Sequence, residues 1–207
     1  MRIIELKLGL LRTNSYLVSG DGSKECIIID PAAEEMKIVN KLAECDLTPC
    51  GILLTHGHFD HIGVAEQLRE RFGIKIYAME QEKEILETSA NLAEMIRQNF
   101  VLKVDEYLKD SQILNLAGCE FKVIHTPGHT IGSCCYYVEK ENVLFSGDTM
   151  FCNSHGRTDF PTGSAASIIC SITEKLLALP DETKVYPGHE DETTIGFERH
   201  NYDFYQF

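Results

Sequence analysis

Long apolar runs are missing from this sequence. No stretch approaches the ~20 residues that a membrane-crossing helix requires, which excludes a span of that kind. Basic residues are scarce: 19 Lys and Arg stand against 32 Asp and Glu, for a formal net charge of −13. Such a surface disfavours nucleic-acid phosphates and anionic membrane as partners. No internal repeat, low-complexity tract or Pro/Gly/Ser linker interrupts the 207 residues. A single well-buried domain over residues 1–207 is expected at this length. The opening Met1–Gly9 alternates apolar and polar residues like a strand and lacks the regions of a signal peptide. A cytoplasmic protein is therefore expected. The eight cysteines are scattered and none pairs in a Cys-x-x-Cys motif, so reduced, structural thiols are expected. Cys134 and Cys135 are neighbours in a strand-like run and should point to opposite faces.

What the sequence does contain is concentrated. Thr55-His56-Gly57-His58-Phe59-Asp60-His61-Ile62-Gly63 places three imidazoles and a carboxylate within six residues. Gly51–Leu54 before it reads as a short buried strand, and Val64–Glu70 after it as a helix. Ligand-type side chains at a strand-to-helix turn are where an α/β protein would build a metal site. Neutral imidazole suits zinc, iron and related ions, and the carboxylate adds a harder donor. Three further groups follow one grammar: an apolar run, a glycine, then a ligand-type residue. His129 lies in Thr126–Thr130, Asp148 in Phe145–Thr149 and His189 in Val185–His189. Glycine at such a point lets backbone and ion approach closely.

Periodicity places these groups on loops between alternating elements. Asn14–Val18 and Glu25–Asp30 read as paired strands around Gly20-Asp21-Gly22. Glu34–Cys45 carries Met36, Val39, Leu42 and Ala43 at helical spacing. Ile74–Ala78 reads as a strand and Glu80–Glu87 as helical. Asn91–Asn99 is expected as a further helix that could act as a lid. Gln112–Leu116, Glu120–His125, Cys134–Glu139 and Asn142–Phe145 read as strands. Ala165–Ala178 is expected as a helix with Ile168, Ile169, Ile172 and Leu176 facing the core. This pattern alone supports α/β or α+β.

The motif His-x-His-x-Asp-His, followed by a lone His, a lone Asp and a last His, resembles that of the metallo-β-lactamase superfamily. The match runs in order from about Thr13 onward. Gly147–Phe151, Gly156–Pro161 and Glu192–Gly196 are most similar to the short-form, glyoxalase II-like hydrolases, which act on hydroxyacylglutathione. The resemblance implies a four-layer αββα sandwich with the metals at one edge between two sheets. It assigns His56, His58 and His129 to one metal site and Asp60, His61 and His189 to a second, with Asp148 bridging them. Two divalent ions per chain are implied, zinc first, with iron or manganese as alternatives. Asp60 would both coordinate an ion and orient a metal-bridging hydroxide. Arg157 stands where the family places a basic residue that holds glutathione. A guanidinium there could grip a substrate carboxylate or simply pair with Asp159. His125, His155 and His200 fit no ligand position.

The function implied is that of a binuclear thioesterase, with a small-molecule S-acyl conjugate as its partner. Two ions about 3.5–4 Å apart can activate water and stabilise charge on attacking and departing atoms alike. No protein nucleophile is needed. An iron-dependent persulfide dioxygenase, sharing much of this ligand pattern but using a single iron, is the alternative. Secreted β-lactamase activity is disfavoured by Asp148, which stands where those enzymes usually carry cysteine, and by the lack of a signal peptide. After His189 the family commonly has an aromatic residue, whereas this chain has Glu190-Asp191 and 18 residues remaining. Loose demands on the thiol portion of the substrate are therefore expected.

Overall fold

The computed structural model describes residues 1–201. The first half runs β1 (Arg2–Leu8), β2 (Thr13–Ser19), β3 (Glu25–Ile29), α1 (Glu35–Glu44), β4 (Thr48–Leu53), α2 (Phe59–Ile62), α3 (Ala65–Phe72), β5 (Lys75–Met79), α4 (Lys83–Leu86) and β6 (Glu106–Leu108). The second half runs β7 (Ile113–Leu116), β8 (Cys119–His125), β9 (Cys134–Val138), β10 (Val143–Gly147), α5 (Ala165–Cys170), β11 (Lys184–Pro187), β12 (Thr193–Thr194) and α6 (Ile195–Asn201). The strands form two six-stranded sheets, ordered β1-β2-β3-β4-β5-β6 and β12-β11-β10-β9-β8-β7. Both are mixed. The first is antiparallel at β1–β2–β3 and parallel from β3 to β6. The second is antiparallel except where β10 pairs with β11.

Because successive side chains of a strand point to opposite faces, each sheet buries two apolar surfaces, and three cores result. In the first, Leu17, Ile28, Ile52 and Ile76 pack against Ile38 and Leu42 of α1 and Leu68 of α3. In the second, Tyr16, Val18, Ile27, Ile29 and Leu53 meet Phe121, Val123, Tyr136 and Phe145 of the facing sheet. In the third, Cys135, Tyr137, Leu144 and Val185 lie beneath Ile168, Ile172, Leu176 and Ile195. Helix on sheet, sheet on sheet and sheet on helix make the expected four-layer αββα sandwich. Cys134 joins the central core and Cys135 the outer one, so the adjacent thiols do part to opposite faces. All eight cysteines are unpaired.

Two expected helices differ in detail. Residues 91–99 form no continuous helix; two 3₁₀ turns, Ser89–Asn91 and Ala93–Ile96, take its place. Leu92 and Arg97 adopt left-handed conformations, with φ of 64° and 57°, which interrupt an α-helix. The buried Asn91 side chain competes for the backbone, accepting from Ala93 N at 2.9 Å and donating to Phe100 O at 2.7 Å. The helix expected over 165–178 is α-helical only to Cys170 and continues as a π-helical turn, Ser171–Leu176. Ile168, Ile172 and Leu176 are spaced by four, a stripe that drifts around a 3.6-residue helix. Widening the turn returns it to the core. β6, β12 and α6 were not expected from the sequence; the two strands are only three and two residues long.

Candidate metal centre

Chain direction explains where the ligand-type residues gather. Asp30 follows β3, Thr55 and His56 follow β4, Asp148 follows β10, and His189 follows β11, each at the C-terminal end of a strand in a parallel pair. That end of an open α/β sheet is where loops can converge on a ligand. Backbone bonds lock the loops of the two sheets together, Cys134 N to Thr55 O at 2.9 Å and Asn14 N to Gly188 O at 2.7 Å, while Gly188 N to Gly147 O at 2.8 Å ties the two loops of the second sheet. Gly188 is required by packing, since a Cβ there would lie 2.3 Å from Asp148 Oδ1 and 2.7 Å from His61 Cε1.

The structure brings the seven expected residues together. His56, His58 and His129 form one triad, and Asp60, His61 and His189 another, each with its ligand-capable atoms within 4.8 Å of one another. In the first triad His58 Nδ1 lies 2.9 Å from His129 Nε2. In the second, His189 Nε2 is 3.2 Å from Asp60 Oδ2 and 3.4 Å from His61 Nε2. Asp148 reaches both: Oδ1 is 3.3 Å from His61 Nε2, and Oδ2 is 3.5 Å from His129 Nε2 and 3.6 Å from His189 Nε2. His56 Nε2 and Asp148 Oδ1 are buried without a hydrogen-bond partner among the described residues. Unpaired buried polar atoms are costly, and acceptors clustered in this way suit a cation. The donor set, imidazole nitrogens with carboxylate oxygens, fits divalent zinc, iron or manganese.

Partners behind the triads decide which nitrogen each ring presents. His129 Nδ1 bonds Arg157 O at 2.7 Å, and His61 Nδ1 bonds Asp30 Oδ2 at 2.9 Å. His56 Nδ1 lies 3.1 Å from Thr55 Oγ1. A ring that donates from Nδ1 keeps its Nε2 lone pair for a metal. Asp60 Oδ2 accepts from Thr13 Oγ1 at 3.1 Å. Asp30 is a residue beside the triads that sequence reasoning missed. It is 1 % exposed, and besides His61 it accepts from Thr55 N at 2.8 Å and from Thr55 Oγ1 at 2.6 Å. The signal was present, because Ile27-Ile28-Ile29-Asp30 ends an apolar run in an acid, as Val143–Asp148 does.

Electrostatics separate the triads. Burial holds His56 and His129 below the usual imidazole range and takes His58 down to about 3, so this triad consists of neutral rings with free lone pairs. Burial also opposes charge on His61 and His189, but the carboxylates win: Asp148, Asp60 and Asp30 hold His61 well above its ordinary value, and Asp148 and Asp60 raise His189. Asp148 stays ionised against its burial because of His61 and His189. A divalent cation would neutralise the same field, with release of those protons.

Arg157 is placed differently from its neighbours. Its exposed guanidinium makes two bonds to Asp159, at 2.7 and 2.6 Å, and lies 4.0 Å from the centre of the Phe160 ring. Phe160 in turn sits edge-on to His58, with centroids 5.8 Å apart. Arg157 thus stands at the rim, and it is the main-chain oxygen that touches the histidine cluster. His125 bonds Ile131 O, His155 bonds Gly156 O and His200 bonds Gly196 O. None of these three belongs to a triad.

Residues 8–189 match the model of the metallo-beta-lactamase superfamily, and the chain belongs to that superfamily. It is a metal-dependent enzyme of the metallohydrolase kind. Over 190 residues it is 37 % identical to hydroxyacylglutathione hydrolase GloC of Haemophilus influenzae, an alignment covering 89 % of each chain. Among solved structures it is similar to BLEG-1, a B3 metallo-beta-lactamase (TM-score 0.92, 38 % identity, 100 % of both chains). It is also similar to TTHA1623 in a di-iron-bound form (0.87, 33 %, 97 % of this chain and 99 % of that one). A third likeness is to ETHE1 from Myxococcus xanthus (0.81, 29 %, 97 % and 83 %). Among the described residues no helix is long and apolar enough to cross a membrane.

Proposed function

We propose that this chain is a binuclear metal-dependent thioesterase that cleaves S-acyl, in particular hydroxyacyl, conjugates of a small thiol. The observation that carries the reading is the pair of adjacent triads spanned by one carboxylate, Asp148. His56, His58 and His129 would hold one ion, Asp60, His61 and His189 the other, and Asp148 both. Ions bound there would polarise a carbonyl and bring the pKa of water from about 15.7 to near 7. The chain's own residues supply orientation. Asp30, Thr55 and the Arg157 carbonyl fix three imidazoles, and Thr13 fixes Asp60. The 37 % identity to GloC supports a hydroxyacyl thioester as the substrate class.

Protein grown with zinc, iron and manganese available is expected to carry close to two ions per chain in total and to hydrolyse S-D-lactoylglutathione. Elemental analysis joined to that assay is the test. The likeness to ETHE1, and the iron bound in another similar structure, leave a second reading open, the iron-dependent persulfide dioxygenase. One iron per chain, with oxygen consumed on a persulfide and no thioester hydrolysis, would replace the first reading by the second. A β-lactam belongs in the same panel because of BLEG-1.

Arg157 is proposed as a substrate-binding residue at the rim. Its guanidinium is already paired with Asp159 and exposed, so it can add ground-state binding but not transition-state stabilisation. Arg157→Ala is expected to raise KM roughly three- to tenfold with kcat nearly unchanged. Steady-state kinetics on a glutathione thioester check this; a fall in kcat with constant KM would contradict it.

A further inference from the structure

We propose that Glu82 is a positioning residue for the first histidine triad, a carboxylate staple that sets the spacing between the loop bearing His56 and His58 and the loop bearing His129. The inference rests on a metal ion being held by that triad and not on which reaction follows. Glu82 closes the 3₁₀ turn Glu80–Glu82 just before α4 and is 0 % exposed. Oε1 accepts from Gly57 N at 2.8 Å, and Gly57 stands between the two histidines of the first loop. Oε2 accepts from Gly132 N and from Thr130 Oγ1, both at 2.8 Å, and Thr130 directly follows His129.

The loops are pressed against this turn without spare room. A Cβ on Gly57 would lie 2.9 Å from Ile85 Cγ2, and one on Gly132 would lie 2.3 Å from Glu82 N. His58 and His129 are 71 residues apart in sequence, yet their facing nitrogens are 2.9 Å apart. At the strand ends, the bond from Cys134 N to Thr55 O joins the two segments. Beyond it, on the histidine side, Glu82 makes the tie.

The chemistry demands a carboxylate. Two backbone N–H groups converge on different oxygens of one side chain, so both of its termini must accept. An amide offers one accepting terminus and turns its NH₂ toward the other N–H, leaving that buried donor without a partner. Aspartate is one methylene too short to reach both loops from the same backbone position. No cation is paired with Glu82 among the described salt bridges, so the three donors alone act against the cost of burying its charge, and they offset only part of it. Burial lifts its pKa to about 7 in spite of them.

The test is zinc affinity by chelator competition in two backgrounds, His189→Ala, which keeps the first triad, and His58→Ala, which keeps the second. Wild-type stoichiometry, measured in parallel, tests the two-ion reading separately. Glu82→Gln is expected to raise the zinc dissociation constant at least about tenfold in the His189→Ala protein, the scale of outer-shell effects on metal affinity. In the His58→Ala protein the change should stay within about threefold, since residues without shared partners act independently. Equal changes in both backgrounds, or none in either, would overturn the proposal, because a general loss of packing cannot choose between the triads. Should Glu82→Gln fail to fold, Thr130→Val removes one of the three bonds and keeps the carboxylate. It should show the same asymmetry at smaller amplitude, and its absence there counts equally against the proposal.

Discussion

Replacing Asp148 with alanine is expected to lower kcat for the proposed thioester hydrolysis on the order of 10³-fold, about 4 kcal/mol of transition-state stabilisation, with the fold retained. Asp148 extends one oxygen toward His61 and the other toward His129 and His189, so its loss removes a carboxylate that lies between the two triads. It also removes a negative charge that holds His61 and His189 protonated or, equally, would hold a cation beside them. Bound metal should fall below two ions per chain in the same preparation. The fold should persist because Asp148 belongs to none of the three apolar cores. Asp148→Asn keeps the shape and one accepting oxygen and should lie between wild type and alanine. Side-by-side kinetics of the Asp148 and Arg157 variants decide the matter. If both lose kcat equally, the division between a bridging ligand and a rim residue is wrong.

The parts of the site that were legible in the sequence share one property: each ligand-type group lies in the segment that follows a strand, so local pattern and position in the site coincide. His56, His58, Asp60 and His61 lie within the eight residues after β4, and Asp148 and His189 follow β10 and β11. The four layers came from the family resemblance, but the faces of individual strands were legible in the pattern itself. Cys134 and Cys135 could be assigned to opposite faces from the two-residue period alone. What escaped was set by tertiary partners. Asp30 looked like the end of a strand because its role depends on Thr55 and His61, 25 and 31 residues away. Glu82 looked like one of several acids in a charged helical stretch, and only burial beneath two loops distinguishes it from Glu80 and Glu84. The helix expected near residues 91–99 failed because the buried Asn91 side chain takes one backbone N–H and one backbone carbonyl, and Leu92 and Arg97 turn left-handed. Arg157 could be recognised as a family position, but its pairing with Asp159 and its stacking on Phe160 are matters of rotamer that a sequence pattern does not carry.

Asp30→Asn should be the most damaging change among residues that touch no metal. Asp30 uses both oxygens: Oδ1 accepts from Thr55 N, and Oδ2 accepts from Thr55 Oγ1 and receives His61 Nδ1 at 2.9 Å. Asparagine can keep its oxygen toward the Thr55 N–H, where the backbone donor has no substitute. Its NH₂ then faces His61 Nδ1, which must accept where it formerly donated. The proton moves to Nε2, and the atom that meets Asp148 at 3.3 Å and His189 at 3.4 Å no longer offers a lone pair to a metal. Outer-shell changes of this sort cost 10–100-fold in metal affinity, and a forced tautomer switch belongs near the upper end, about 100-fold. The loss should fall on the ion that Asp60, His61 and His189 are proposed to hold, leaving one ion per chain at low metal concentration. Asp30→Ala adds a stability cost, since the buried Thr55 N–H is then left without a partner at about 1–3 kcal/mol. Chelator titration with chemical denaturation of the metal-free protein separates the two effects. The asparagine variant should lose affinity with little change in denaturation midpoint, and the alanine variant should lose both. Two ions bound with wild-type affinity by Asp30→Asn would show that His61 presents its Nε2 without help from Asp30, and the assignment of that carboxylate as the orienting partner would fall.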